Sequence, residues 1–303
     1  MHTAMLAVVL SNSLQAHAPA TLETRVRAVI ASSGAEVAVA FRTLDGRSEL
    51  LIDPDKLFHA ASTMKVPVMI ELFQQARAGT LSLDDGLHIR NEFKSIVDGS
   101  TYTLSEGDDS DRDIYAAVGK TLTLRQLCDA MITVSSNFET NLLIEKLGVE
   151  NIRRTVTRLG AEGMQVLRGV EDSKAFEKGL NNSTTARGLQ VLFEKLSQGQ
   201  AVDATSDAEM IAILKRQKFK DAIRQACRRA RRSRTKRATS RASITTPESF
   251  TRRGLTSSCC LCEGSRSRRR ARPSWPSYRG SCTSTVGSSS CQLSAMWNSY
   301  LVA

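Results

Sequence analysis

A chain of 303 residues with 41% apolar residues has material for a large buried core, as one big domain or two intimate ones. Its formal charge of +11 suggests nucleic acid, but residues 224–303 hold 17 Lys and Arg against 2 Asp and Glu, while the residues before them hold 25 against 29. The body is therefore a mildly acidic globular protein, the basicity belongs to the tail, and the charge gives no reason to expect a nucleic-acid-binding body.

The chain opens with an apolar run, Ala4–Leu10, followed by the small-residue triplets Ala16-His17-Ala18 and Ala18-Pro19-Ala20. Residues 1–20 thus read as a secretory signal peptide lacking Lys and Arg in its first part, with an apolar cap on the first helix as the alternative. A periplasmic or secreted protein is expected, and no later run is long enough to span a bilayer. Thr21–Ser32 has helical apolar spacing. Val37–Phe41 and Glu49–Ile52 read as strands around the hairpin signal Asp45-Gly46. A helix is predicted from Ser62 to Gly79, with Pro67 near its first turns, where a missing N–H costs least. Thr123 and Gln126 form a capping box for a helix carrying Leu124, Leu127, Cys128, Met131 and Ile132. Cys128 on that apolar face reads as core. Further helices are predicted over Asn137–Leu147, Ile152–Leu159 and Thr185–Leu196, with another ending near Ile223. Leu167–Asn182 has no period, and so long a loop inside a compact domain is more often functional than idle.

Ser62-Thr63-Met64-Lys65 places a hydroxyl and an ammonium three residues apart on one helix face. A serine hydroxyl needs a neighbouring base to become a nucleophile, and a buried lysine of lowered pKa is one. Four residues of this kind are common, and their weight comes from company. Ser135-Ser136-Asn137 sits at a break between two helices, and Glu177-Lys178-Gly179-Leu180-Asn181 sits in the aperiodic loop. Phe58-His59-Ala60-Ala61 leads into Ser62, and Lys65-Val66-Pro67-Val68-Met69 follows it. A Ser-His-Asp arrangement has little to draw on, since His2 and His17 lie in the leader and only His59 and His88 remain; no Gly-x-Ser-x-Gly elbow surrounds Ser62.

Over residues 22–223 this ordered set resembles the class A β-lactamases and related β-lactamase-like serine hydrolases. The resemblance implies an α/β fold, with a five-stranded antiparallel sheet between helices and a mainly helical subdomain at about 80–205 inserted between early and late strands. It implies Ser62 as acylating nucleophile, Lys65 as proton acceptor or relay, Ser135 as proton donor to the departing lactam nitrogen, and Asn137 as holder of Lys65 and the substrate carbonyl. It implies Glu177 as the base that activates the deacylating water, with Asn181 holding that water and Glu171 and Asp172 as rival carboxylates. The oxyanion would be held by the Ser62 N–H and one from a later strand. A small β-lactam substrate, no cofactor, no metal and a monomer follow. Two departures stand out: Ser136 replaces the usual aspartate, which could loosen that turn, and Lys178 replaces the usual proline after the glutamate.

The family's Lys-Thr-Gly strand should follow the helix ending near Ile223, and it is missing. Residues 224–303 are rich in Arg, Ser and Cys without helical or strand period. Cys259-Cys260-Leu261-Cys262 lacks a histidine or second pair at zinc spacing, and Arg228–Arg241 has no aromatic interleaving for nucleic acid. Joining the last base of each codon to the first two of the next permits His, Lys, Thr and Gly across Arg234–Ala238. The same shift permits His-His-Asp-Ala-Gly over Ser243–Glu248, and Tyr followed by Val and Leu over Leu255–Leu261. The sequence therefore reads as residues 21–223 of a β-lactamase-like domain followed by an out-of-frame, unpaired tail. Its last strands are expected to be missing, and the chain as written is expected to be inactive and poorly folded at its end. A D-alanyl-D-alanine peptidase-like penicillin-binding protein, and a non-catalytic remnant with a nucleic-acid-binding tail, are the competing readings.

Overall fold

The computed structural model describes residues 21–219 and 256–263. The signal-peptide reading of residues 1–20, the helix end near Ile223 and the missing third motif lie outside these residues.

Helix α1 (Leu22–Ser33) is capped by Thr21, whose side chain accepts the Thr24 N–H, and ends at left-handed Gly34. Strands β1 (Glu36–Thr43) and β2 (Glu49–Ile52) form the expected hairpin, with Val39 opposite Ile52 and Arg42 opposite Glu49. Alternation along β1 divides the interior. Ala38 and Ala40 face the main core, while Val39, with Leu50 and Ile52 of β2, builds a smaller cluster covered by Val26 and Ile30 of α1.

After β3 (Phe58–His59), a 3-10 turn (Ala61–Met64) opens into α2 (Lys65–Arg77), so Ser62 stands in the turn and not in the helix proper. Lys65 to Phe73 are all buried, which makes α2 the axis of the molecule. Short ladders that period reading did not separate from loop follow: β4 (Gly86–His88), β5 (Phe93–Lys94), β6 (Thr101–Tyr102) and β7 (Thr121–Thr123), with β4 paired to β7 and β5 to β6. The capping box of α3 (Leu124–Thr133) is formed as expected, Thr123 and Gln126 bonding reciprocally. Helices α4 (Asn137–Leu147) and α5 (Val149–Arg158) follow, then α6 (Ser173–Glu177) inside the stretch expected to be loop. Strand β8 (Ser183–Thr184) pairs with β3, and α7 (Ala186–Ser197) and α8 (Ala204–Lys215) complete the helical part.

The tail departs from expectation. Strand β9 (Thr256–Glu263) lies antiparallel along all of β1, from Glu36 opposite Glu263 to Thr43 opposite Thr256, giving a sheet of order β2-β1-β9. Sheet pairing is made by backbone N–H and C=O groups, so a segment without alternating apolar residues can still close an open edge. The expected five strands are three among the described residues, and α7 packs across β1 and β9. No helix of the described residues is long and apolar enough to cross a membrane.

Helix α7 meets the chain before the aperiodic loop at Gly188, whose N–H is capped by Thr185 Oγ1 at 3.0 Å. A Cβ at 188 would stand 2.9 Å from the backbone carbon of Gly163 and from the nitrogen of Met164. Gly188→Ala is therefore expected to destabilise the fold by about 1–3 kcal/mol, read as a lower urea midpoint at unchanged m-value.

Candidate active site

Ser62 is presented by a strained turn. Ala61 just before it has φ 44°, a left-handed conformation costly for a residue with a Cβ. His59, exposed on β3, holds that conformation by accepting the Ala61 N–H on Nδ1 at 3.1 Å. The Ala60 N–H donates to the Asn182 carbonyl at 2.9 Å, which ties the turn carrying Ser62 to the end of the aperiodic loop.

Lys65 is fully buried. Its Nζ donates to Ser62 Oγ at 3.3 Å, the Ser135 carbonyl at 2.6 Å, Ser135 Oγ at 3.1 Å and Asn137 Oδ1 at 3.0 Å. Ser135 Oγ donates to Ser62 Oγ at 2.8 Å, so the two hydroxyls and the amine form a closed triangle. Burial pushes the Lys65 ammonium down from 10.5 to about 8, against the opposing pull of Asp109, Glu139 and Glu171. A neutral amine able to take a proton is then a substantial species near neutrality.

Ser135 sits at the joint of α3 and α4 with φ 60°. Both sides of the joint are fixed. The carbonyls of Ile132 and Thr133 accept from Gln217 Nε2 at 2.7 Å and the Lys218 N–H at 2.8 Å. On the far side, the N–H groups of Asn137 and Phe138 donate to the two carboxylate oxygens of Asp109 at 3.1 and 2.8 Å. Ser136 is buried, and its hydroxyl donates to the Glu139 carboxylate. Burial pushes Glu139 up to about 8. The turn expected to loosen at Ser136 is thus braced from another segment.

The loop carboxylate beside this cluster is Glu171. Its Oε1 accepts from Asn137 Nδ2 at 3.1 Å, and its backbone is left-handed at φ 62°. The residue before it is clamped on both sides: Asn141 Oδ1 accepts the Val170 N–H at 2.6 Å, and Asn141 Nδ2 donates to the Val170 carbonyl at 3.0 Å. Gly169 makes this approach possible, since a Cβ there would stand 2.6 Å from Asn141 Oδ1. Asp172 is engaged elsewhere: buried, it accepts from Ser95 Oγ at 2.9 Å, from the Ile96 N–H at 3.0 Å and from the α6 N–H of Ala175 at 3.1 Å.

Two residues expected at the site lie apart from this cluster. Glu177 ends α6 exposed to solvent, without a hydrogen bond to Ser62, Lys65, Ser135 or Asn137 among the described residues. The reason is the helical turn Ser173–Glu177, which carries Glu177 outward. The Asn181 amide is likewise turned from the cluster, its oxygen accepting from Arg168 Nη2 at 3.0 Å. Ser62, Lys65, Ser135 and Asn137 are brought together. Of the four non-glycine residues with positive φ among the described residues, three (Ala61, Ser135 and Glu171) belong to this one cluster, and Asp53 is the other. Backbone strain concentrated so is retained where geometry serves chemistry. The sequence signal for Glu171 over its rivals was Gly169, two residues earlier. Among the described residues no three His, Cys, Asp or Glu side chains come together as metal ligands.

Comparison with known proteins agrees with this geometry. Residues 21–241 match the family described as "Beta-lactamase enzyme family". A β-lactamase of Rhodobacter capsulatus is 36% identical over 94 residues, 31% of this chain and 28% of that protein, so the match spans little more than a quarter of the relative. A crystal structure of a β-lactamase from Sphaerobacter thermophilus is 24% identical with a TM-score of 0.53, covering 64% of this chain and 68% of that one. The structure of a PBP-A point mutant, an acyl-enzyme complex with penicillin G, is 22% identical with a TM-score of 0.52, covering 63% and 67%.

The buried lysine has a thermodynamic signature. With its pKa lowered from 10.5 to about 8 by folding, the unfolded chain binds more protons between those values. Stability is penalised below pH 8 and recovers as pH rises toward 10.5. Relative to Lys65→Met, the parent is expected to gain about 3 kcal/mol across that window, measured as the difference in urea unfolding free energy. Parallel pH profiles for the two proteins would contradict the assignment.

Proposed function

The chain belongs to the β-lactamase enzyme family, a family of serine hydrolases, and on that premise we propose that it opens β-lactams through an acyl-Ser62 intermediate hydrolysed with the help of Glu171. The observation that carries the proposal is the convergence on Lys65: one buried amine bonded to Ser62, Ser135 and Asn137, with Asn137 bonded in turn to Glu171.

In the first half-reaction neutral Lys65 takes the Ser62 proton as Oγ attacks the lactam carbonyl. Ser135, in contact with both groups, passes its proton to the lactam nitrogen as the C–N bond breaks and takes back the one that Lys65 accepted. Asn137, its side-chain oxygen on Lys65 and its amide toward Glu171, stands where a substrate amide carbonyl would meet a donor. In the second half-reaction a water gives its proton to Glu171, attacks the ester, and releases the ring-opened acid while Ser62 recovers its proton. Whether Lys65 acts directly or Glu171 assists acylation through water is a choice between two routes to the same ester. Glu171 beside the cluster favours a hydrolase over a peptidase-like protein without a deacylating carboxylate.

The family match continues to residue 241, inside the basic tail. We read the tail as a shifted frame beginning near codon 223, with the Lys-Thr-Gly strand recoverable across Arg234–Ala238. Losing one oxyanion donor with that strand would cost about 3–4 kcal/mol of transition-state stabilisation. The nucleotide sequence at codons 223–238 is expected to permit the alternate frame, and the frame-restored protein to hydrolyse penicillins faster than the chain as written. Third bases incompatible with Lys-Thr-Gly would rule this out. Export, monomeric state and independence of any cofactor belong to the same reading.

Glu171→Gln is expected to lengthen the lifetime of the penicillin adduct on Ser62 by about 100-fold or more, with acylation changed far less. Glu177→Ala is expected to leave the lifetime at the parent value. Intact-protein mass spectrometry after a pulse of penicillin G measures both.

A further inference from the structure

Helix α4 begins without a cap of its own. Ser136, its N-cap residue, makes no side-chain bond to the helix backbone, because its hydroxyl is engaged by Glu139. The first N–H groups of a buried helix must nevertheless find acceptors. They find them on Asp109, nearly thirty residues earlier, in the segment between two 3-10 turns (Glu106–Asp108 and Asp113–Ala117).

We propose that Asp109 is the positioning residue that supplies, from outside, the carboxylate missing at Ser136, and that its grip on α4 sets Ser135 and Asn137 against Ser62 and Lys65. The proposal rests on the reading of Ser62 as the acylated residue. Asp109 is only 9% exposed, and four donors fix its carboxylate. Besides Asn137 and Phe138, Oδ1 accepts the Asp111 N–H at 3.2 Å and Oδ2 accepts from Tyr115 Oη at 3.3 Å. The Tyr115 ring packs on Phe138 at a centroid distance of 5.0 Å, and Phe138 meets Phe93 edge-on at 5.8 Å, so the bracing segment and α4 are joined by apolar contact as well. An anion bonded to the first N–H groups of a helix also opposes the positive end of its dipole. Two residues before Asn137, Ser135 is held at φ 60°, a conformation it would leave once the helix start could move.

Asp109 does a second thing from the same place. With Glu139 of α4 and Glu171 of the loop, it is one of the three carboxylates whose charge favours the protonated form of Lys65. A residue that merely stabilised the fold would leave the pH dependence of acylation alone; Asp109 would not.

The test uses the full chain and single-turnover labelling of Ser62 by penicillin G across pH, with Asp109→Ala, Asp109→Asn and Asp109→Ala combined with Ser136→Asp. Asp109→Ala is expected to slow acylation by about 100-fold and to move the acid limb of the profile to lower pH, since one anion near Lys65 is gone. Adding Ser136→Asp, which provides a helix cap at the start of α4, is expected to restore most of the rate and to return the limb. A parent-like rate and limb in Asp109→Ala, or a folded double variant without recovery, overturns the proposal. Should Asp109→Ala fail to fold, Asp109→Asn decides: a slowed rate with a shifted limb supports it, and a parent profile overturns it. Should neither the parent nor the frame-restored chain take up label, the hydrolase reading fails instead. The role of Asp109 is then judged by hydrogen exchange at the Asn137 and Phe138 amides, faster in Asp109→Asn if the brace is real and unchanged if it is not.

Discussion

Lys65 has no access to water, so its protons must be taken by protein oxygens, and those oxygens come from separate stretches of chain. The turn before α2, the joint between α3 and α4, and the loop carrying Glu171 are each bent into unusual backbone to supply or support them. The rest of the site follows from burying this one ammonium. The cost of desolvation is what makes the amine chemically useful, since a lysine that solvent could reach would stay protonated near neutrality.

The surroundings show how the bends are maintained. His59 and Asn182 hold the nucleophile turn; Gln217, Lys218 and Asp109 hold the helix joint; Asn141 holds the residue before Glu171. Apart from His59, two residues before Ala61, these groups come from distant stretches of chain. Unfavourable local conformations persist because distant parts of the fold over-determine them.

The sequence revealed what depends on short spacing. The three-residue step from Ser62 to Lys65, the helix break at Ser135, the capping box at Thr123 and the hairpin at Asp45-Gly46 are local, and each is formed. What depended on chain path was not legible. Glu171, Asp172 and Glu177 lie within seven residues, and spacing cannot say which carboxylate meets Asn137; one left-handed residue and one helical turn decide it. Asp109 sits among Glu106, Asp108, Asp111 and Asp113, a run that reads as solvated surface, although its own carboxylate is inside. Strand β9 was missed for a different reason: main-chain pairing leaves no mark on composition.

The clamp at Val170 separates two jobs within one loop. Asn141 fixes the backbone immediately ahead of Glu171, and Asp172, the residue immediately after it, is anchored through its own carboxylate to Ser95 and Ile96. The position of the carboxylate is therefore settled within a span of three residues. Beyond it, Ser173, Lys174 and Phe176 to Leu180 face solvent. Side chains on that outer rim can therefore change without disturbing the three residues that fix the Glu171 carboxylate.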